Sequence, residues 1–267
     1  MKRFYQWIII LVLILVTTTA CNGGEEANGK EKGNVLDRVE DSGVLRVGFE
    51  GTYQPFNYLD DHNKYAGFDV DIANELAKRL GVETEFIATK WDSLIGGLKA
   101  DKFDVIIAQM TVTEERKQSV DFTAPYVVTG SVLITTEDTT GISKLEDIKG
   151  KKVGVGGGTT FEEVAKSVDG ADVTLYKSVN DYIQDLINGR LDVIINDQLL
   201  MSYNINEEEL PIKIVSEILN KDEIGMAVKK GSDELVKKLN QGLAEMKEDG
   251  TYDEIYKKWF DSDPLVK

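Results

Sequence analysis

The chain has 267 residues, and its 31 Lys plus Arg stand against 47 Asp plus Glu, a formal net charge of −16; so acidic a chain repels phosphate backbones and argues against a nucleic-acid partner. With one Cys it can form no internal disulfide and no thiolate zinc site, and with one His it is poorly equipped for Ser-His-Asp chemistry or His-built metal centres. An apolar share of 42% is that of a globular chain, and the length suits one large domain or two small ones.

Lys2 and Arg3 open the chain, and Ile8 to Val16 is an unbroken apolar run of nine residues. A bilayer core of about 30 Å needs about 20 residues, so this run does not span one. Residues 1–20 read as a secretory signal peptide. The small residues before Cys21 resemble a bacterial lipobox, with Thr18 standing where such signals usually carry Leu. That resemblance implies cleavage before Cys21, lipidation of its thiol and attachment to the cell membrane from outside. The alternative is an ordinary signal peptide that leaves an exposed, oxidisable thiol. Residues 21–33 carry almost no apolar side chain and read as a flexible tether; about 12 such residues reach roughly 20 Å.

From Val35 short β-like runs alternate with helical periodicity. Val44 to Phe49 is a strand candidate. Phe68 to Leu80 places Val70, Ile72, Ala73, Leu76, Ala77 and Leu80 close to a 3.6 period, and Gly81 stops it. Phe103–Ile107, Lys152–Val155 and Leu191–Ile195 are further strand candidates, and the alternation predicts parallel α/β architecture. The segment Leu94…Lys102-Phe-Asp-Val-Ile-Ile107 echoes 88 residues later as Tyr182…Arg190-Leu-Asp-Val-Ile-Ile195. Two helix-to-strand units of one pattern suggest two similar lobes, whose strand ends could face each other across a cleft. Ser232 is a candidate N-cap for a helix to Met246, Gly250 breaks it, and a short helix follows around 253–259.

Several residues could carry chemistry. Thr113-Glu-Glu-Arg116 looks like a capped helix start, where an arginine gains most from a nearby anion; the anion is either a ligand carboxylate or an acid such as Asp121. Gly154-Val-Gly-Gly-Gly-Thr159-Thr160 is a glycine-rich turn into a helix, which attracts anions or is simply a tight connection. It lacks the Gly-Lys-Ser/Thr of a phosphate loop. Asp197 follows an apolar strand and needs a cationic partner, either a ligand ammonium or a lysine. Glu50 is placed similarly after Val47-Gly-Phe. Tyr53, Phe56 and Trp91 could wall a pocket, or be core. His62 lies in a polar loop. No nucleophile has a base at recognisable spacing, so no catalytic residue is assigned.

Read together and in order, Leu45-Arg-Val-Gly-Phe-Glu-Gly-Thr-Tyr-Gln-Pro-Phe56, Gly67-Phe-Asp-Val-Asp-Ile-Ala73, Gln109-Met-Thr-Val-Thr-Glu-Glu-Arg116 and Asp121-Phe-Thr-Ala-Pro-Tyr126 resemble the bacterial extracellular solute-binding proteins, family 3, over about residues 35–260. These serve ABC importers of polar amino acids. The resemblance implies a periplasmic-binding-protein-like α/β fold of two lobes joined by a two-strand hinge, with lobe 1 at 34–127 and 225–267 and lobe 2 at 128–224. It implies a ligand α-carboxylate on Arg116 and on the N–H groups of Thr111 and Thr160, beside Thr159. It implies an α-ammonium on Asp197, the Thr111 hydroxyl and the Gln109 carbonyl, with Met110 between them. Glu50, Tyr53 and Trp91 would shape the side-chain pocket. Gln109 departs from the Ser or Gly of some relatives. The segments Val47–Tyr53, Thr89–Asp92, Gln109–Thr111 and Gly150–Val155 look most like L-cystine-binding members. Glu50 could hold the second ammonium of cystine; it would equally suit lysine or arginine, and other polar amino acids remain alternatives. The expected partners are the permease and, through Cys21, the membrane. The resemblance points to a monomer with no cofactor or metal and no enzymatic activity; a dehydratase-like enzyme on the same fold is the remote alternative.

Overall fold

In the computed structural model, which describes residues 34–261, strand Val44–Phe49 is the second strand of a first sheet. Its order is Glu83–Ala88, Val44–Phe49, Val105–Ile106, Ala227–Lys229, Val120–Phe122. The second sheet runs Asp172–Tyr176, Lys152–Gly156, Val193–Asp197, Val127–Thr136, Ile212–Ile214, and Asn220–Ile224 also pairs with Val127–Thr136. A small antiparallel sheet of Thr52–Tyr53, Asn57–Leu59 and Tyr65–Ala66 follows the first strand. The signal peptide 1–20, Cys21 and the tether to residue 33 lie outside the described residues. Among the described residues no helix is long and apolar enough to cross a membrane.

The expectation of parallel sheets holds for the first three strands of each order and fails beyond them. Ala227–Lys229 runs antiparallel to its neighbours, as does Val127–Thr136. The reason is connectivity. The chain leaves the first sheet after Phe122 and returns from the second at Ile224, and the two crossing strands pair antiparallel, with Val127 opposite Ile224 and Thr129 opposite Asp222. One strand carries the chain out to the second sheet and the other brings it back, so side by side they run in opposite directions. Val127–Thr136 is buried along nearly its whole length, which suits its run of Val, Leu and Ile.

The helix predicted over 68–80 forms with those bounds. Phe68, Ile72, Ala73, Leu76 and Ala77 are buried along one stripe, and Gly81 closes the helix at φ 75°, a conformation that favours glycine. Strand Leu191–Ile195 is displaced to Val193–Asp197, and Phe103–Ile107 contracts to Val105–Ile106. The C-terminal helices are Asp233–Glu248 and Thr251–Phe260; Ser232 precedes the first without a side-chain cap bond.

The internal echo has a structural counterpart. In the first lobe Asp104 accepts from the Arg46 N–H at 2.9 Å; in the second Asp192 accepts from the Lys152 N–H at 2.8 Å. Each acid hooks the adjacent parallel strand at the same place. The preceding residues match too: Phe103 lies over Gly48, and Leu191 over Gly154.

A β-carbon at Gly48 would stand 2.5 Å from the Phe103 ring, whereas one at Gly154 would meet the flexible end of Leu191. Gly48→Ala is therefore expected to cost about 1–3 kcal/mol, lowering Tm by roughly 2–4 °C per kcal/mol. Gly154→Ala should cost distinctly less. Thermal denaturation of both variants checks this, and equal losses would show that the Phe103 ring can move aside.

Candidate functional site

The carboxyl ends of the parallel strands in both sheets converge on one cleft of about 390 Å³. From the first lobe it is lined by Glu50, Tyr53, Trp91, Gln109, Thr111 and Arg116; from the second, by Thr159, Thr160 and Asp197. Nine of the ten predicted ligand-binding residues are thus brought together. Met110 is not. It is 1% exposed and packs in the core with Phe49, Leu98 and Phe103. Flanking residues of an extended segment point opposite ways, so with Gln109 and Thr111 at the cleft, Met110 turns inward.

Arg116 lies in the short helix Glu114–Lys117, and the Thr113 hydroxyl accepts from the Arg116 N–H at 3.1 Å, as the capped start predicted. The guanidinium donates to the Thr111 carbonyl at 2.8 Å and to the Gly158 carbonyl at 3.2 Å, and lies 5.2 Å from the Trp91 ring centre. Burial pushes its pKa below the ordinary value. Asp121, the alternative partner, pairs instead with Lys230 at 2.8 Å. Two of the five N–H donors of Arg116 are occupied, and both face neutral oxygens. The fork that remains fits a carboxylate.

In the glycine-rich turn, the Gly158 N–H donates to Glu162 at 2.7 Å and the Thr159 hydroxyl to the Gly156 carbonyl at 2.7 Å. Thr159 therefore closes the turn with its side chain. Thr160 begins the helix Thr160–Lys166, where first-turn N–H groups lack intrahelical acceptors.

Asp197 ends its strand and caps helix Gln198–Asn206, accepting from the Leu200 N–H at 3.0 Å. It is 5% exposed, and burial lifts its pKa to about 6. Among the described residues no lysine pairs with it, so the intramolecular alternative is absent there. Glu50 is half-buried, and among the described residues its carboxylate has no hydrogen-bond or ion-pair partner. Burial, with Asp92 nearby, raises its pKa to about 7. Phe56 is fully buried beneath Tyr53, and His62 is exposed in its loop.

Among the described residues five side-chain hydrogen bonds reach across the cleft from one lobe to the other. Tyr53 donates to Asn196 at 2.8 Å, Trp91 to the Gly158 carbonyl at 3.1 Å, Arg116 to the same carbonyl, and Gln54 to Tyr203 at 3.1 Å and Glu208 at 2.9 Å. The lobes are held together around the cleft. Sequence reasoning missed Asn196, whose amide also contacts Tyr182, and the cleft residues Tyr182, Lys90 and Lys177. It also missed Asp222, a buried acid on the returning strand whose pKa burial raises to about 6. Asp222 lines a more open hollow of about 360 Å³ that shares Thr111 and Thr160 with the cleft. The one usable signal lay in the echo: its second copy has Tyr182 where the first has Leu94, a polar tip on an otherwise apolar stripe.

The family model for bacterial extracellular solute-binding proteins, family 3, matches residues 45–262. The chain is 39% identical over 231 residues to the L-cystine-binding protein TcyJ of Escherichia coli K12, covering 86% of this chain and 87% of that protein. It is 34% identical over 260 residues to the L-cystine-binding protein TcyA of Bacillus subtilis, covering 96% of each. Among solved structures it is similar to an ancestral arginine-binding protein bound to glutamine, with TM-score 0.78, 43% identity and coverage of 82% of this chain and 99% of that one. It is likewise similar to the ancestral amino acid-binding protein AncCDT-1, a precursor of cyclohexadienyl dehydratase, with TM-score 0.80, 38% identity and coverage of 84% and 99%.

Four buried or half-buried carboxyls, Glu50, Asp69, Asp197 and Asp222, have pKa values raised to about 6–7. Each binds its proton more tightly folded than unfolded. The stability they contribute is full below about pH 4 and is lost as the pH rises through 6 to 7. The Tm of the ligand-free protein should therefore rise as the pH is lowered from 8 to 5.5. Asp197→Asn and Glu50→Gln should each flatten that slope in differential scanning calorimetry. An unchanged slope in both would show that neither carboxyl titrates in this window.

Proposed function

The chain belongs to the bacterial extracellular solute-binding proteins, family 3, and from that premise we propose that it binds L-cystine between its two lobes and delivers it to the permease of an ABC importer. Members of the family are binding proteins for amino acids, not enzymes. The observation that carries the reading is a pair of opposite charges in one cleft, neither with an ion-pair partner among the described residues: Arg116, whose guanidinium bonds two carbonyls, and Asp197. An α-amino acid brings the complement of both on one carbon.

Arg116 and the Thr111 and Thr160 N–H groups take the α-carboxylate. Asp197, the Thr111 hydroxyl and the Gln109 carbonyl take the α-ammonium. Thr159 supports the turn, and Met110 supports the floor from the core. Tyr53 and Trp91 wall the cleft. Glu50 then has a partner as well, because cystine carries a second ammonium. The names of TcyJ and TcyA support this choice. A basic amino acid is the second reading, favoured by the same Glu50 and by the similarity to an arginine-binding protein.

The moving bodies are lobe 1, residues 34–127 with 225–267, and lobe 2, residues 128–224. Ligand contacts made by both lobes at once favour the closed form. Residues 1–20 are removed on export, Cys21 is lipidated, and residues 21–33 tether a monomer outside the cell membrane.

A thermal-shift panel of L-cystine, L-arginine, L-lysine, L-histidine and L-glutamine, with mass spectrometry of any co-purifying ligand, tests the function. Cystine is expected to give the largest shift, a larger shift with arginine or lysine would select the second reading, and no shift with any of them would refute amino-acid binding. Arg116→Ala should weaken binding at least about tenfold by calorimetry, since it breaks a largely desolvated charge pair. Asp197→Asn should weaken it in the same assay. Unchanged affinity in either variant removes that residue from the site.

A further inference from the structure

Beneath the cleft a fully buried carboxylate joins three parts of the binding surface. Asp69, in the first turn of helix Phe68–Leu80, is 1% exposed. One of its oxygens accepts from the Gln109 side-chain amide at 2.7 Å and from the Tyr126 hydroxyl at 2.8 Å. The other accepts from Asn57 at 2.8 Å, and Asn57 in turn accepts from the Gly51 N–H at 2.9 Å, next to Glu50. The Tyr126 hydroxyl also receives the Gln109 amide at 3.2 Å and the Gln109 main-chain N–H at 3.3 Å.

Gln109 needs this support. Its φ is +53°, in the left-handed region that a residue with a β-carbon adopts at a cost. Its side-chain oxygen is buried without a hydrogen-bond partner. Asp69 explains both. Asp69 takes the nitrogen of the amide, so the amide oxygen is turned away from it and lies without a donor. Tyr126 then fastens the main chain of the same residue. Tyr126 also stands at the crossing: its N–H donates to the Ile224 carbonyl at 2.9 Å, and Val127 begins the strand to the second lobe.

We infer that Asp69 is a positioning residue for ligand binding: through Tyr126 and the Gln109 side chain it holds Gln109 in its left-handed conformation, fixing the cleft floor to the start of the hinge. The inference rests on the reading of Gln109 as part of the ammonium cradle. Asp69 itself touches no ligand. The partial positive charge at the helix start favours a carboxylate there, and its three donors come from three separate segments.

The test is a double-mutant cycle read by calorimetry with L-cystine, L-arginine and L-glutamine. If the wild-type protein binds none of these, the proposed function fails and this inference falls with it. With a ligand that does bind, Asp69→Asn should lower affinity about tenfold, because an amide cannot accept all three donors. Tyr126→Phe keeps the carboxylate and removes the bridge, and should lower affinity in the same direction; it serves in place of Asp69→Asn if that variant does not fold. In a Gln109→Gly background the residue adopts its φ freely and has no side chain to hold. There Asp69→Asn, or Tyr126→Phe in its place, should change affinity less than twofold. Equal losses in the two backgrounds would overturn the inference and leave Asp69 as a structural core residue. Unchanged affinity in the Gln109-containing background, for whichever variant folds, would overturn it as well.

Discussion

A guanidinium that two neutral carbonyls solvate but do not neutralise governs the arrangement of this molecule. Arginine keeps its proton under all ordinary conditions, so Arg116 cannot escape the cost of burial by discharging. Its two bonds, to Thr111 and Gly158, come from different lobes. The charge is therefore placed where the lobes meet. Glu163, Glu115 and Asp222 offset part of its cost through space, but among the described residues none makes an ion pair with it; Asp121 is taken by Lys230, and Asp197 is engaged with the start of its own helix. Keeping opposite charges apart in one cleft costs the folded chain stability.

The duplicated helix-to-strand unit explains how the charges come to face each other. In each lobe an aspartate hooks the neighbouring strand, and the residue before it covers a glycine. The two strands therefore start at equivalent residues, Val105 and Val193, and the copies run in step as far as Ile107 and Ile195. Up to that point the copies match; beyond it they part. One continues into Gln109, Thr111 and the Arg116 helix, the other into Asn196 and Asp197. Shared scaffold and divergent tips bring an arginine from one lobe and an aspartate from the other to a single cleft. The two halves are joined by the paired crossing strands.

Much of this was legible in the sequence, for particular reasons. Helix Phe68–Leu80 announced itself because apolar periodicity and a terminal glycine are local. The Thr113 cap was readable because the N–H it accepts from lies three residues on. The cleft residues came less from any single motif than from the order of several. The rest depended on distance along the chain. Asp69 reads in sequence as an ordinary acid favoured by a helix start; that Asn57, Gln109 and Tyr126 surround it follows only from folding. Asn196 gave no signal because its partner, Tyr53, lies in the other lobe. The antiparallel strands escaped because alternation of strand and helix does not reveal where the chain crosses over. Met110 shows the limit of carrying a motif over whole: its neighbours reach the cleft, and its own side chain completes the core.

One of the bridging contacts acts on time rather than on choice. Gln54 joins Tyr203 and Glu208 across the lobes without lining the cleft. It makes no contact that distinguishes one occupant from another. On the proposed function the bond must break before the lobes separate, so it adds equally to the retention of every ligand. Preference among amino acids and persistence of the captive molecule are thus set by different residues. Persistence can drift in either direction by substitutions at Gln54 or Glu208 while the ranking of cargoes stays as it was.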